Sequence, residues 1–387
     1  MATRKAINGA AELLNCLQQR RNAMLESLRQ MVELESPSDH KAAVDRLGEF
    51  LAQQFAAAGG RPKFHHQRES GNHLQVDFAG ASAQRPVMLL GHFDTVWALG
   101  TLAKMPWRVK QGRAWGPGSY DMKAGITLML HALAALGEVR GQLPRPVTVL
   151  LNTDEEVGSH TSRAIIERLA RQSAAVLIME PSLGMKGAVK TARKGVGEYC
   201  LKVTGVPAHA GIAPQEGASA VVELAHQIVK VSALTDLKRG ISVNAGVIEG
   251  GTRSNVVAAE AMALIDVRIA RGRDAAYIDQ KLHGLRRTNR QCRVQVTGAI
   301  NRLPMERTKG VAALYGKARD IAARLDWKLD EGSTGGASDG NFTAPLGVPT
   351  LDGLGAVGEG AHAFNESVII KELPRRAALI AALIEEA

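Results

Sequence analysis

Residues 87–95 read VMLLGHFDT, in which four apolar residues lead directly into a glycine, a histidine and an aspartate. The same pattern recurs at 147–156 (VTVLLNTDEE) and at 176–180 (VLIME), where short apolar runs also end in polar side chains. A stretch with helical periodicity, 124–136, separates the first two runs. Because strands alternate with helices here, the sequence predicts a sheet with a substantial parallel part that is covered on both faces.

The flanking sequence predicts helices that pack on this sheet. Leucine, methionine and valine residues between 14 and 32 have the spacing of one amphipathic helix, which ends before Ser36-Pro37-Ser38, and a second helix follows over 44–55. After Pro304 we expect a helix over 308–325, a glycine-rich loop, a strand and a final helix from Pro374.

The sequence pattern changes near residue 197. Residues 199–204 alternate between apolar and polar side chains, which predicts a strand with one exposed face. Further helices are predicted over 217–231 and 274–287, and further strands over 241–248, 256–269 and around 294–296. Two helices over an antiparallel sheet make a compact α+β unit. We therefore expect residues 1–196 and 306–387 to form one α/β domain into which an α+β domain, residues 197–305, is inserted.

Length and charge agree with a globular protein of this kind. At roughly 150 residues per domain, 387 residues correspond to two or three domains. The net charge of +10 comes from 48 lysine and arginine residues against 38 acidic ones, and it is spread along the chain. We expect no nucleic-acid partner, because no block of like charges occurs and aromatic residues make up only 4%. The excess positive charge instead favours anionic substrates.

The cysteines and the apolar segments bear on the compartment. The three cysteines, Cys16, Cys200 and Cys292, are far apart and odd in number, which favours neither a disulfide framework nor a cysteine-based zinc site. The N-terminal segment lacks a continuous apolar core, and no apolar run of about 18 residues occurs. We therefore expect a cytoplasmic protein without a membrane partner.

Ionisable side chains follow the predicted strands where each strand ends, at 92–94, 154–156 and 180, and Asp121 precedes the helix over 124–136. The carboxyl ends of strands in an open α/β sheet form the ligand crevice. Imidazole and carboxylate groups without thiolate suit Zn²⁺ or a similar divalent cation, and several converging carboxylates repel one another unless cations neutralise them. Taken singly, each residue also fits a structural role, since an aspartate before a helix is commonly an N-cap. The conjunction favours a metal site.

Three of these stretches resemble the motifs of the M20 metallopeptidases, namely GHFDTV at 91–96, GPGSYDMKAG at 116–125 and TDEEVG at 153–158. The resemblance extends over the whole chain and is strongest to the glutamate carboxypeptidase branch of the family. It implies a zinc-peptidase-like catalytic domain with a mixed, largely parallel sheet and an inserted α+β lid and dimerisation domain. It also implies two bound Zn²⁺ ions, or other divalent metals, and a homodimer formed through the lid.

The resemblance further assigns roles in the metal site. It implies that Asp121 bridges the two metals, that His92 and Glu180 complete one site, and that Glu156 and His362 complete the other. His362 lies in GEGAHAFNE at 358–366, which is similar to the late metal-binding motif of the family. Asp94 would orient His92, and Glu155 would be the general base. The Asp121–Met122 peptide is expected to be cis.

The inserted domain and the late glycine-rich loop supply the expected substrate contacts. His209, in GVPAHAG at 205–211, would reach across the dimer interface to the oxyanion of the intermediate. The resemblance implies substrate contacts for five more residues: Asn255, Arg268, Arg302, Gly335 and Gly336. Each arginine could instead make a structural salt bridge. Ala188 stands where the branch has a lysine, and either Lys186 or Lys190 could take its place.

The resulting expectation is a metallo-carboxypeptidase that cleaves an amide bond next to a free carboxylate. The favoured substrates are small molecules or short peptides with C-terminal glutamate, including folate-like compounds. The alternative is an N-acyl-amino-acid deacylase of the acetylornithine deacetylase or aminoacylase type, since the same metal centre serves both. A non-catalytic binding protein on this scaffold would lack the base or a ligand, and in this chain the base and all five ligands are present.

Overall fold

The computed structural model describes residues 2–387, with side chains from residue 9 onward. The chain folds into two compact units. The first contains the residues up to Ala192 together with Arg307–Thr334 and Ser338–Ala387, and the second contains Arg193–Glu306 with Gly335–Ala337. The last segment departs from the expected organisation, which placed Gly335 and Gly336 in the catalytic domain. The reason is that the guanidinium of Arg193 donates to the carbonyls of Gly336 and Ala337, at 3.1 and 3.2 Å.

The helices of the described chain are α1 (Ala2–Gln19), α2 (Arg21–Glu33), α3 (Lys41–Ala57), α4 (Thr101–Lys104), α5 (Ala124–Arg140), α6 (Arg163–Gln172), α7 (Ala220–Ser232), α8 (Ala275–His283), α9 (Lys309–Arg324), α10 (Gly340–Thr343) and α11 (Leu373–Glu386). The strands are β1 (Arg61–His65), β2 (His73–Phe78), β3 (Val87–His92), β4 (Arg108–Lys110), β5 (Arg113–Trp115), β6 (Val147–Asn152), β7 (Ala175–Ile178), β8 (Val189–Arg193), β9 (Gly195–Thr204), β10 (Ser242–Gly250), β11 (Glu260–Ile269), β12 (Arg293–Arg302), β13 (Glu331–Thr334), β14 (Thr350–Leu351), β15 (Gly358–Glu359) and β16 (Ser367–Ile369).

The main sheet of the first unit has the order β1-β2-β6-β3-β7-β14. The β1–β2 and β2–β6 pairs are antiparallel, whereas β6–β3, β3–β7 and β7–β14 are parallel. This confirms the predicted mixed, largely parallel sheet of an α/β fold. A smaller sheet, β15-β16-β5-β4, and the pair β13-β8 complete the strands of this unit.

The central strands β3 and β6 consist mainly of apolar residues, and every residue of both strands is buried. Alternate side chains point to opposite faces. Leu89 packs into the cluster that contains α5 and α11, whereas Met88 and Leu90 pack into a second cluster with Ile166 of α6. The sheet is therefore covered on both faces, as the alternating sequence pattern predicted.

Helix α5 is largely buried and contacts α1, α2 and α11. The segment Ser119–Arg140 has the length and apolar composition of a membrane-spanning helix, but 78% of its most apolar window is buried within the protein. A helix that is apolar on all sides fits the centre of a core as well as a bilayer, and the surrounding helices cover this one.

The second unit is an antiparallel sheet of order β10-β11-β9-β12 with two helices. Along β9, Tyr199, Leu201 and Val203 are buried, while Glu198 and Lys202 are exposed. Helix α7 contacts β9, β10 and β11, and α8 contacts β12. Ser219 begins α7 by accepting a hydrogen bond from the backbone N–H of Val222 at 3.3 Å. The alternation of buried and exposed residues along β9 fits a sheet that helices cover on one face, and the Ser219 cap determines where α7 begins.

Two glycines of α5 test how tightly this helix packs. A Cβ at Gly125 would lie 2.2 Å from the carbonyl oxygen of Met179, whereas a Cβ at Gly137 would meet nothing within 4 Å. We expect Gly125→Ala to destabilise the protein by about 1–3 kcal/mol through overpacking. Gly137→Ala should stabilise it by about 0.5–1 kcal/mol through helix propensity. Denaturant unfolding measures both changes, and equal shifts of the two midpoints would contradict the packing described.

Candidate metal centre

Five side chains of the first unit lie close together, and three of them lie at or just after the ends of its central strands. His92 is the last residue of β3, Glu156 lies in the turn after β6, and Glu180 lies two residues beyond β7. Strands β6, β3 and β7 are parallel neighbours, so their carboxyl ends meet at one edge of the sheet. Asp121 comes from the turn before α5, and His362 from the connection between β15 and β16.

Two groups of possible metal ligands result, and they share Asp121. In the first group, His92 Nε2 lies 3.4 Å from Asp121 Oδ1 and 3.4 Å from Glu180 Oε1. In the second, His362 Nε2 lies 3.6 Å from Asp121 Oδ2 and 3.1 Å from Glu156 Oε2. The donor atoms within each group lie within 4.8 Å of one another. The two oxygens of one carboxylate thus face two separate imidazoles, as a bridging ligand requires.

The chemistry of these donors fits divalent cations. Oδ1 of Asp121 is buried, and in the part of the chain that the structure describes it has only the long 3.4 Å contact with Nε2 of His92. A buried carboxylate oxygen with so little hydrogen bonding is costly unless a cation lies beside it. Each group combines imidazole nitrogen with carboxylate oxygen, which is a ligand set typical of Zn²⁺ and related metals.

The protonation of the site reflects its concentration of negative charge. Burial alone would lower the pKa of His92, but hydrogen bonds with Asp121, Asp94 and Glu180 raise it well above its usual value. The hydrogen bond with Glu156 raises the pKa of His362 to about 9. Burial raises the pKa of Glu156. The carboxylates therefore favour the protonated form of both imidazoles.

Asp94 lies behind His92 and is fully buried. Nδ1 of His92 is 3.1 Å from the backbone oxygen of Asp94 and 3.4 Å from its Oδ1. The same carboxylate accepts hydrogen bonds from the Ser38 hydroxyl at 2.7 Å and from the backbone N–H groups of Glu155 and Glu156, at 3.4 and 3.3 Å. Asp94 therefore fixes both the imidazole and the turn that carries Glu155.

Glu155 lies next to one of the ligand groups, and the turn before α5 contains a cis peptide bond. Glu155 is half-buried, and neither ligand group found among the described residues includes it, although its neighbour Glu156 belongs to one of them. The Asp121–Met122 peptide is cis, which confirms the expectation from the resemblance. His362 has a φ of 61° and follows Gly360 at 82°, so this loop turns sharply where it presents the imidazole.

In the second unit the structure brings His209 and Asn255 together. Residues His209 and Val256 form an isolated bridge, and the N–H of Ala210 donates to the Asn255 carbonyl at 3.0 Å. Nδ1 of His209 accepts from the backbone N–H groups of Gly211 and Ile212, at 3.1 and 3.2 Å. A neutral imidazole that accepts at Nδ1 carries its proton on Nε2. His209 is exposed, so Nε2 can act as a donor to a ligand.

The two predicted carboxylate-binding arginines lie on opposite sides of β9. Arg268 of β11 and Arg302 of β12 both align with Val196. Arg268 forms a bidentate ion pair with Asp266, in which both distances are 2.9 Å. Arg302 is only 5% exposed. A substrate carboxylate at Arg268 would therefore have to share the guanidinium with Asp266 or displace it.

Several supporting residues were missed in the sequence. Ser38 was interpreted only as part of a helix end, Arg193 was not singled out, and Glu366 was quoted within a motif without a role. Glu366 is fully buried, and burial raises its pKa to about 7 although four N–H donors surround its carboxylate. The only local signal for Glu366 was its position four residues after a predicted ligand.

An imidazole and carboxylate cluster with a shared aspartate, at the carboxyl edge of a largely parallel sheet, defines the class of metal-dependent hydrolases. Residues 88–386 match the model of peptidase family M20/M25/M40, and the chain belongs to this family of metallopeptidases.

Individual relatives agree with this assignment. Carboxypeptidase G2 of Pseudomonas sp. (strain RS-16) is 30% identical over 372 residues, which cover 94% of this chain and 88% of that protein. The crystal structure of aminopeptidase PepT from Bacillus cereus ATCC 10987 has a TM-score of 0.77 at 20% identity and covers 95% of this chain and 98% of that one. YxeP of Bacillus subtilis, a dinuclear metal-binding peptidase of family M20, has a TM-score of 0.70 at 13% identity, with 95% and 98% covered.

Metal binding should release protons, because a divalent cation binds the neutral imidazole. The pKa of His362 is raised to about 9, so this imidazole is protonated at pH 7 before a cation binds, and the pKa of His92 is shifted in the same direction. We expect the release of at least one proton on full loading, and weaker binding as the pH falls. Calorimetry in buffers of different ionisation enthalpy measures this number. His362→Gln should reduce it by about one, and unchanged proton release in that variant would contradict a raised pKa for His362.

Proposed function

We propose that this protein is a two-metal carboxypeptidase that cleaves an amide bond next to a free carboxylate. The favoured reaction releases C-terminal glutamate from N-acyl or peptidyl substrates, including folate-like ones. The observation that carries the proposal is the pair of ligand groups sharing Asp121, with Glu155 adjacent to Glu156 but outside both groups. The 30% identity to a carboxypeptidase over most of both chains supports the reaction class.

Five residues would hold two Zn²⁺ ions, or other divalent metals: His92, Asp121, Glu156, Glu180 and His362. When bound, the cations supply Lewis-acid chemistry, which lowers the pKa of water and polarises the scissile carbonyl. Glu155 would take a proton from the attacking water and deliver it to the departing amine. Asp94 would keep the His92 imidazole in one orientation through its contacts at Nδ1. The dinuclear metal binding of the fold relative YxeP supports a two-metal centre.

The second unit would supply contacts to the substrate. His209, with Nε2 as its donor, would stabilise the oxyanion of the tetrahedral intermediate across a homodimer interface. Asn255 lies beside His209. Gly335 and Gly336 allow close backbone approach to a ligand. Arg302, and Arg268 if its guanidinium is shared with or released from Asp266, would bind the substrate carboxylates through the planar guanidinium.

A homodimer through the second unit is part of the proposal. Strand β10 lies at an edge of its sheet, and an edge strand offers unpaired backbone groups to a partner. Its Val247 and Ile248 are 44% and 59% exposed, and Val222 and Val229 on the adjoining α7 are 57% and 71% exposed. Apolar exposure of this extent at an open edge supports association with a second copy. We also retain a cytoplasmic location, since Cys16, Cys200 and Cys292 are all free thiols.

Ala188 supports the alternative function, that of an N-acyl-amino-acid deacylase. It replaces the lysine that the glutamate carboxypeptidase branch uses, so an N-acyl-amino-acid deacylase remains the second candidate. Between the two neighbouring lysines, Lys186 is exposed in a turn, whereas Lys190 is 8% exposed. The charge of Lys190 helps to lower the pKa of Asp121, after the larger effects of His92 and His362. Lys190 is therefore the better candidate to replace the missing lysine.

Glu155→Gln tests the base. The variant should keep two bound metals, because no ligand is altered, and should lose at least about 100-fold in kcat, because the proton acceptor is gone. Metal analysis and steady-state kinetics on N-acyl glutamates, dipeptides and N-acetyl amino acids measure both quantities. Normal turnover with normal metal content would exclude Glu155 as the base. Preference for N-acetyl amino acids over glutamate conjugates in the same panel would favour the deacylase.

Arg302→Met tests carboxylate recognition. We expect KM for a C-terminal glutamate substrate to rise about 10–100-fold, because a charge-assisted hydrogen bond is lost. The effect should shrink for the corresponding substrate amide. Arg293→Met is the matched control, because Arg293 is an exposed residue at the other end of β12. Equal KM values for wild type and Arg302→Met would remove Arg302 from the substrate site.

A further inference from the structure

The Glu366 carboxylate lies at the end of the loop that carries His362 and has no exposed surface. Its Oε1 accepts hydrogen bonds from the backbone N–H groups of Tyr120 and Asp121, at 2.8 and 3.0 Å. Its Oε2 accepts from the N–H of Gly118 and from the indole N–H of Trp97, both at 2.8 Å. Four donors therefore converge on one buried carboxylate.

These donors come from two other segments that carry ligands of the proposed metal site. The Trp97 indole belongs to the loop that begins at His92, and the three backbone donors belong to the turn that presents Asp121. The backbone oxygen of Glu366 also faces the N–H of Gly116, at 3.5 Å. One residue thus joins the His92 loop, the Asp121 turn and the His362 loop.

We propose that Glu366 is a positioning residue that sets the spacing between Asp121 and His362 for metal binding. The inference rests on the proposed two-metal function. The backbone N–H of Asp121, one of the donors, belongs to the shared ligand itself, while His362 lies four residues before Glu366. A displacement of the Glu366 carboxylate therefore moves both ligands relative to each other.

The hydrogen-bond pattern requires a carboxylate at this position. Each oxygen accepts two N–H donors, and a glutamine of the same shape would place its NH₂ group against two of them. The four N–H groups are therefore all satisfied only by a side chain with two acceptor oxygens.

Glu366→Gln is the direct test, and Glu359→Gln is its matched control. Glu359 is an exposed acid of the same hairpin, and it pairs with Arg113 at 2.5 Å instead of contacting a ligand-bearing turn. The chelator-treated protein is titrated with Zn²⁺ by calorimetry and with Co²⁺ by visible absorption. We expect Glu366→Gln to bind either metal about 10–100-fold more weakly and to change the Co²⁺ spectrum. Glu359→Gln should match the wild type in both.

Trp97→Phe keeps the inference testable if Glu366→Gln does not fold. It removes one donor to the carboxylate and retains an aromatic ring against Phe364, whose ring centre lies 5.5 Å away. We expect it to weaken metal binding about fivefold, the effect of one hydrogen bond. Wild-type affinity in the folded variants, or a lower melting temperature of the chelated protein with unchanged affinity, would overturn the role of Glu366. A wild-type protein that binds no divalent metal would instead overturn the proposed function.

Discussion

The structure around the two ligand groups has to offset the electrostatic repulsion among the carboxylates of Asp121, Glu156 and Glu180. Carboxylates this close to one another cannot all remain ionised in a buried site without positive charge nearby. Hydrogen bonds with these carboxylates raise the pKa values of the His92 and His362 imidazoles, which favours positive charge on both rings. The surrounding hydrogen bonds form a frame that holds these like-charged side chains close together, where bound cations would neutralise them.

The fold provides this frame through elements that are rigid for other reasons. Strands β6, β3 and β7 lie in a sheet whose residues are buried on both faces, so the positions of their carboxyl ends are determined by core packing. Asp121 and His362 come from turns outside the main sheet, and buried hydrogen bonds hold their segments in place. The site thus combines ligands placed by the core with ligands placed by polar contacts.

The sequence predicted the α/β class and the strands β3, β6 and β7, because these depend on local period and on the residues at strand ends. Features set by contacts between distant segments escaped it. The single amphipathic helix expected between residues 14 and 32 is two helices, α1 and α2, separated at Arg20, since both present apolar faces with nearly the same period. Likewise, no local pattern indicated that Arg193 binds the loop at Gly336, or that Glu366 accepts four N–H groups.

The double contact of Asp94 has a consequence for substitutions at this residue. One carboxylate orients His92 and also holds the backbone of Glu155 and Glu156. A substitution that retunes the imidazole from behind therefore shifts the neighbouring turn as well. The orientation of His92 and the position of the turn at Glu155 are therefore coupled, and a change at Asp94 that alters one alters the other unless a second change near Ser38 restores it.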